Sequence, residues 1–109
     1  MRPALSVAAA GLLRSLLARA GVDRNRIYLM DFRSVDWQSL TFIGERHEIS
    51  LRLPSGDADS IVARLSENLE DVEWQIPGQI VGDIALDGPP VVSDDGSVVL
   101  NMEALTIAE

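Results

Sequence analysis

The hydrophobic spacing of this 109-residue chain changes period repeatedly, from helical to alternating and then through the same change again. That succession limits the available folds more than any single motif does. Over residues 3–20, Leu5, Ala8, Ala9, Leu12, Leu13, Leu16, Leu17 and Ala20 recur at three- and four-residue intervals and form one apolar stripe. Pro3 suits the first helical position and Gly21 the position just past the end. Arg14 and Arg19 fall in the second half, where the helix dipole favours cations. Residues 27–32 then have strand character, a bend is expected at 33–36, and 37–43 continue extended. Gly44-Glu45 reads as a turn. Residues 46–53 alternate cleanly, with Ile49, Leu51 and Leu53 on one face and Glu48, Ser50 and Arg52 on the other. An antiparallel hairpin of 37–43 with 46–53 is therefore expected.

The second cycle opens after Pro54-Ser55-Gly56. Ala58, Ile61, Val62, Leu65, Leu69 and Val72 make a second apolar stripe. The helix is expected to run to about Asp71, capped by Asp57 or Ser55. Pro77-Gly78 signals a turn, 79–86 alternate around Gly82, and Asp94-Asp95-Gly96 signals a hairpin leading into the last strand, 97–107. The pattern shifts near Glu103–Leu105, as at a bulge or in a region covered on both faces. The order is αββαββ. A four-stranded antiparallel sheet with both helices on one face buries both stripes at once, which predicts an α+β domain with the topology of a permuted ferredoxin-like plait. The length predicts one domain over 1–109, with the helix in 1–21 packed on it.

Composition removes several chemistries. There is no cysteine, so disulfides, thiolate metal sites and a cysteine nucleophile are out. The net charge is −8 and every basic residue is arginine. The charge is uneven: 1–26 carry five arginines against Asp23 alone, and the remainder carries four arginines against sixteen carboxylates. An acidic body repels phosphate backbones, which argues against a nucleic-acid partner. The apolar N-terminal stretch resembles a secretory signal, but Arg14 interrupts it where the apolar centre should continue. No run reaches the roughly 20 apolar residues of a membrane span. A cytoplasmic protein with no membrane partner is expected.

His47 is the only histidine. Strand geometry sets it on the face of Glu45, Ile49, Leu51 and Leu53. Glu45 and His47 could act as an acid–base or metal pair at the strand start, with Arg46 holding an anion although alternation turns it the other way. A histidine at the rim of the core, bonded to a carboxylate or a carbonyl, accounts for it more simply, because a metal site usually needs three or four ligands and there is no second histidine or cysteine to supply them. Asp57 and Asp59 suit the first turn of a helix better than phosphoryl transfer. Asp83, Asp87, Asp94 and Asp95 suit turns better than a cation site. Glu67, Glu70, Asp71 and Glu73 sit where a helix dipole disfavours them, which suits a solvated face or a basic partner, including the arginine-bearing helix of a second copy. Trp37 and Trp74 lie at element edges, where a tryptophan caps a small core or anchors a partner. No phosphate loop, dinucleotide fingerprint or nucleophile motif is present.

The stretch Trp37-Gln38-Ser39-Leu40-Thr41-Phe42-Ile43-Gly44-Glu45-Arg46-His47, together with Gly82-Asp83-Ile84-Ala85 and the ending Glu103-Ala104-Leu105-Thr106-Ile107, resembles small conserved bacterial proteins of no assigned activity. The resemblance covers about half of the chain. It implies a bacterial, cytoplasmic origin and carries no catalytic residues with it. Two functions are set against each other: a non-catalytic protein-interaction or self-associating module, and a small ligand-binding domain or enzyme using Glu45, Arg46 and His47. The first is favoured. No catalytic residue, metal or cofactor is expected, and the candidate contacts are Trp37, Glu45, Arg46, His47 and Trp74.

Overall fold

The computed structural model describes residues 5–109. Two helices and an antiparallel sheet alternate as the spacing requires: α1 (Val7–Ala20), β1 (Tyr28–Gln38), β2 (Ile43–Leu53), α2 (Ala58–Ser66), β3 (Gln79–Leu86), β4 (Val91–Val92) and β5 (Val98–Ala108). The strand order is β1-β2-β5-β3, and β4 continues the β3 line along β5 after the interruption at 87–90. This is the order of a ferredoxin-like plait whose first strand has moved to the end of the chain. Among the described residues, no helix is long and apolar enough to cross a membrane.

One face of the sheet makes the core. Ile49, Leu51 and Leu53 of β2 and Leu100, Met102 and Ala104 of β5 pack with Leu12, Leu16 and Ala20 of α1 and Ile61 and Leu65 of α2. Both apolar stripes are thus buried on the same side. The helices are also fastened to each other. Arg19 of α1 donates to the carbonyl of Glu67 at the end of α2. Arg64 of α2 donates to the carbonyl of Ala20, the last residue of α1, at 3.1 Å. Each helix thus supplies a cation to the other's C-terminal carbonyls, which its dipole makes electronegative.

Several boundaries differ from those expected. Helix α1 starts at Val7, because Ser6 is its cap and accepts from the Ala9 amide. Pro3 lies outside the described residues. Helix α2 ends at Ser66, and Asn68 turns left-handed (φ 52°) before a short 3-10 turn at Leu69–Asp71. Glu70, Asp71 and Glu73 therefore lie beyond the helix, and the dipole conflict read from the sequence is relieved. Asp57 sits at the N-cap without making a cap bond, since its carboxylate pairs with Arg26.

The first hairpin closes at 39–42, its tip at Leu40-Thr41 lying four residues before the expected turn. Ser39 Oγ accepts from the Phe42 amide at 3.1 Å, and the Ser39 amide donates to the Phe42 carbonyl at 2.9 Å. A serine side chain closing its own turn leaves no glycine or proline signal. Strand β1 is continuous through the expected bend at 33–36, with its irregularity at Met30 instead. Strand β5 alternates without a break. The bulge falls on β3 at Gly82, where an added side-chain carbon would lie 3.1 Å from Ile107 Cδ1 and 3.6 Å from Leu105 Cδ2. Leu105, at the shift in the pattern of the last strand, and Ile107 thus cover that glycine from the outer face.

Gly44 serves a close approach rather than a turn. A β-carbon there would lie 2.0 Å from the Thr106 carbonyl oxygen, against backbone that cannot step aside. Gly44→Ala is expected to cost at least about 2–3 kcal/mol, since overpacking against backbone is at the upper end of such penalties. Gly11→Ala brings a β-carbon to 2.6 Å from the Cγ2 branch of the buried Ile76, a side chain that can shift where backbone cannot, and it gains helix propensity, so it should cost clearly less. Chemical denaturation of the two variants checks the order.

Candidate functional site

Strand parity sorts the candidate residues at once. Glu45 and His47 point to the helix-covered face with Ile49, while Arg46 points to the open face. Arg46 is not brought together with the other two. His47 is completely buried. Its Nδ1 lies 2.8 Å from Ser34 Oγ of β1, its Nε2 lies 2.8 Å from Thr106 Oγ1 of β5, and the Phe32 ring meets it edge-on at 5.8 Å. Glu45 accepts from Ser6 Oγ at 2.7 Å, so its carboxylate serves the start of α1.

This arrangement pins three strands and one helix end together. A neutral imidazole has one donor and one acceptor, and two hydroxyls match it in either tautomer. A Ser–His contact is also half of a nucleophile–base pair. Here, however, the far nitrogen meets a threonine hydroxyl, which cannot stabilise an imidazolium as a carboxylate does. With both nitrogens engaged and no exposed surface, His47 offers no free atom to a ligand. Among the described residues, no three histidine or carboxylate side chains gather as metal ligands.

One other concave surface is occupied by the protein's own charges. A cleft of about 450 Å³ is lined by Arg26, Tyr28, Arg52 and Asp95. Arg26 pairs with Asp57, and Arg52 bonds Asp95 at 3.0 Å. The hydroxyl and amide of Ser97, with help from Arg52, hold the Asp95 carboxyl down to about 2. An anion entering this cleft competes with carboxylates already in place. Trp74 is half-buried against the core and lines a small cavity with Leu69 and Val81–Ile84 of β3.

The open face is different. The cross-strand row Trp37, Gly44, Ile107 and Ile80 is apolar along its length, and the next row sets Val35 and Leu105 beside Arg46 and Asp83. Val35 is 61% exposed and Ile80 52%, and at the hairpin tip Leu40 is fully exposed and Phe42 half so. Sequence reasoning had selected Trp37 and Arg46 from this surface and missed Val35, Leu40, Phe42 and Ile80. The available signal was the concentration of apolar side chains around a turn in a chain with few aromatics. It was hidden by placing the turn at Gly44, which assigned Leu40 and Phe42 to a strand.

Burial lowers the pKa of His47 from the ordinary 6.5, partly opposed by Glu45, which raises it. Below about pH 6.5 the unfolded chain therefore takes up a proton that the folded chain does not. Stability present above 6.5 is expected to fall as pH drops toward the folded value. Imidazole NMR resonances should stay those of the neutral ring at pH 6.5, and the melting temperature should decline over the same acid range. Thr106→Val should cost about 1–3 kcal/mol by leaving a buried nitrogen unpaired, and Thr106→Ser much less; denaturant titration measures both.

No protein-family model matches the sequence, and neither does any curated protein. Among solved structures, the chain is similar to the type 4 fimbrial biogenesis protein PilO from Pseudomonas aeruginosa, with 15% sequence identity and a TM-score of 0.43. The match covers 91% of this chain and 65% of that one, so the chain spans less than two thirds of its neighbour's length. The likeness is one of backbone arrangement.

Proposed function

We propose that this protein is a non-catalytic interaction module whose contact surface is the open sheet face together with the tip of the β1–β2 hairpin. The observation that carries this reading is the continuity of apolar side chains from the exposed Leu40 and Phe42 at the tip, through the exposed Val35 and half-buried Trp37, to the exposed Ile80 on the far strand. Such surface is costly to leave in water, and a connected patch of it marks a contact site more often than scattered residues do. Arg46 stands within the patch and supplies a charged anchor beside apolar neighbours, a composition favoured at interface centres.

Against catalysis stands the same geometry that fixes His47: it serves the core, and Arg46 lies on the opposite face. Arg19 of α1 bonds the backbone carbonyl of Glu67 within one chain, so this arginine is engaged at home, and the continuous apolar surface of the sheet supports the sheet face as the partner surface.

Leu40→Asp combined with Phe42→Asp tests the reading, because both residues are exposed and neither enters the core. The double variant should melt within about 1 °C to 3 °C of the parent, as surface changes away from packed features cost little. It should lose whatever association the parent shows by light scattering and by co-purification from the native host. An unchanged set of bound proteins and an unchanged solution mass would contradict the proposal.

A further inference from the structure

The sheet ends in two unlike edges. Beyond β3 the segment from Leu69 to Trp74 lines a cavity with Val81–Ile84, so that edge is flanked. Strand β1 closes the other side of the sheet, and among the described residues no strand pairs with its outer edge. The hydrogen-bond phase shows which of its groups are free. The Asn101 carbonyl accepts from the Asp87 amide on the β3 side, and the Ser39 amide donates to Phe42 across the hairpin. Antiparallel alternation then directs the backbone of Arg33, Val35 and Trp37 toward β2, and that of Phe32, Ser34, Asp36 and Gln38 outward. An edge of this kind is a template for another strand.

We infer that β1 pairs antiparallel with β1 of a second copy, about a two-fold axis at Val35. This deepens the interaction reading above and rests on it. In a two-fold pairing the residue on the axis meets its own equivalent. Axes at Asp31, Arg33 or Asp36 set like charges face to face, which is destabilising. An axis at Phe32 runs the ladder through the bulge at Met30. An axis at Ser34 sets Asp31 against Trp37 and Asp36 against Phe32 of the second copy, desolvating carboxylates on aromatic rings. Axes nearer the hairpin pair fewer residues. The axis at Val35 sets Val35 against Val35 of the second copy, Arg33 against its Trp37, and Ser34 against its Asp36.

Each of these juxtapositions is complementary. The valines meet in a close, non-hydrogen-bonded pair. The Arg33 guanidinium is largely exposed and only 4.0 Å from Glu48 at its nearest, which leaves it able to lie on an indole ring. Donation from His47 Nδ1 to Ser34 frees the serine proton for the Asp36 carboxylate of the second copy, extending the Thr106–His47–Ser34 chain across the axis. The hairpin tip with Leu40 comes level with Met30 of the second copy, itself 46% exposed. The chain as a whole is strongly acidic, but this edge carries both signs in register.

The test exploits self-pairing at an exposed position that is not part of the core. The parent, Val35→Lys and Val35→Glu are each examined by sedimentation equilibrium from low to high micromolar concentration, and the two variants are then mixed in equal amounts. The expected result is a parent mass that rises toward a dimer, two variants that remain monomeric with unchanged melting temperatures, and a mixture that dimerises because lysine now meets glutamate. A parent that is monomeric throughout, or variants that dimerise as the parent does, overturns the inference. Variants that are monomeric both alone and mixed also overturn it. In that last case, a parent that still associates leaves the open-face reading standing without the edge pairing.

Discussion

Two helices cover one face of the sheet and leave the other uncovered, and the remaining features follow from that one-sidedness. The helices are held side by side because each directs an arginine to the other's terminal carbonyls: Arg19 to Glu67 and Arg64 to Ala20. With both stripes spent on the same face of β2 and β5, every strand must present alternate residues to water. The strands are long, and β1, β2 and β5 each run for eleven residues. The uncovered face is accordingly large for a chain of this size, and one of its edges is unpaired.

Polar groups inside the covered face hold the strands in register. The imidazole of His47 spans the middle of the sheet from Ser34 on β1 to Thr106 on β5, and Glu45 reaches Ser6 at the start of α1. A one-residue slip of β1 or β5 would carry a hydroxyl to the wrong face and leave a buried nitrogen without a partner, so the network selects one register. Gly44 enforces the same choice sterically, because only a glycine allows that close an approach to the Thr106 carbonyl. The histidine thus belongs to the specification of the fold.

The architecture was legible where burial is periodic. Alternation in 46–53 predicted which residues of β2 face the core, the face of His47 included, and helical spacing located both helices. Boundaries were less legible, because the decisive contacts are side chains acting on the backbone: Ser6 capping α1, Ser39 closing the hairpin, Asn68 breaking the chain after α2. The partners of His47 lie 13 and 59 residues away along the sequence, a separation that spacing rules cannot bridge. The candidate contact surface was half legible. Trp37 and Arg46 were identified for their chemistry, but the neighbours that make them part of a patch come from β3, β5 and a turn whose position was misread.

The interaction account turns on whether the outer edge of β1 becomes covered in solution. Amide hydrogen exchange, read residue by residue at increasing protein concentration, addresses this without altering the chain. The account predicts that the outward amides of Ser34 and Asp36 become protected as concentration rises, while the inward amide of Val35, already bonded to β2, changes far less. Equally rapid exchange of Ser34 and Asp36 at every concentration would contradict it.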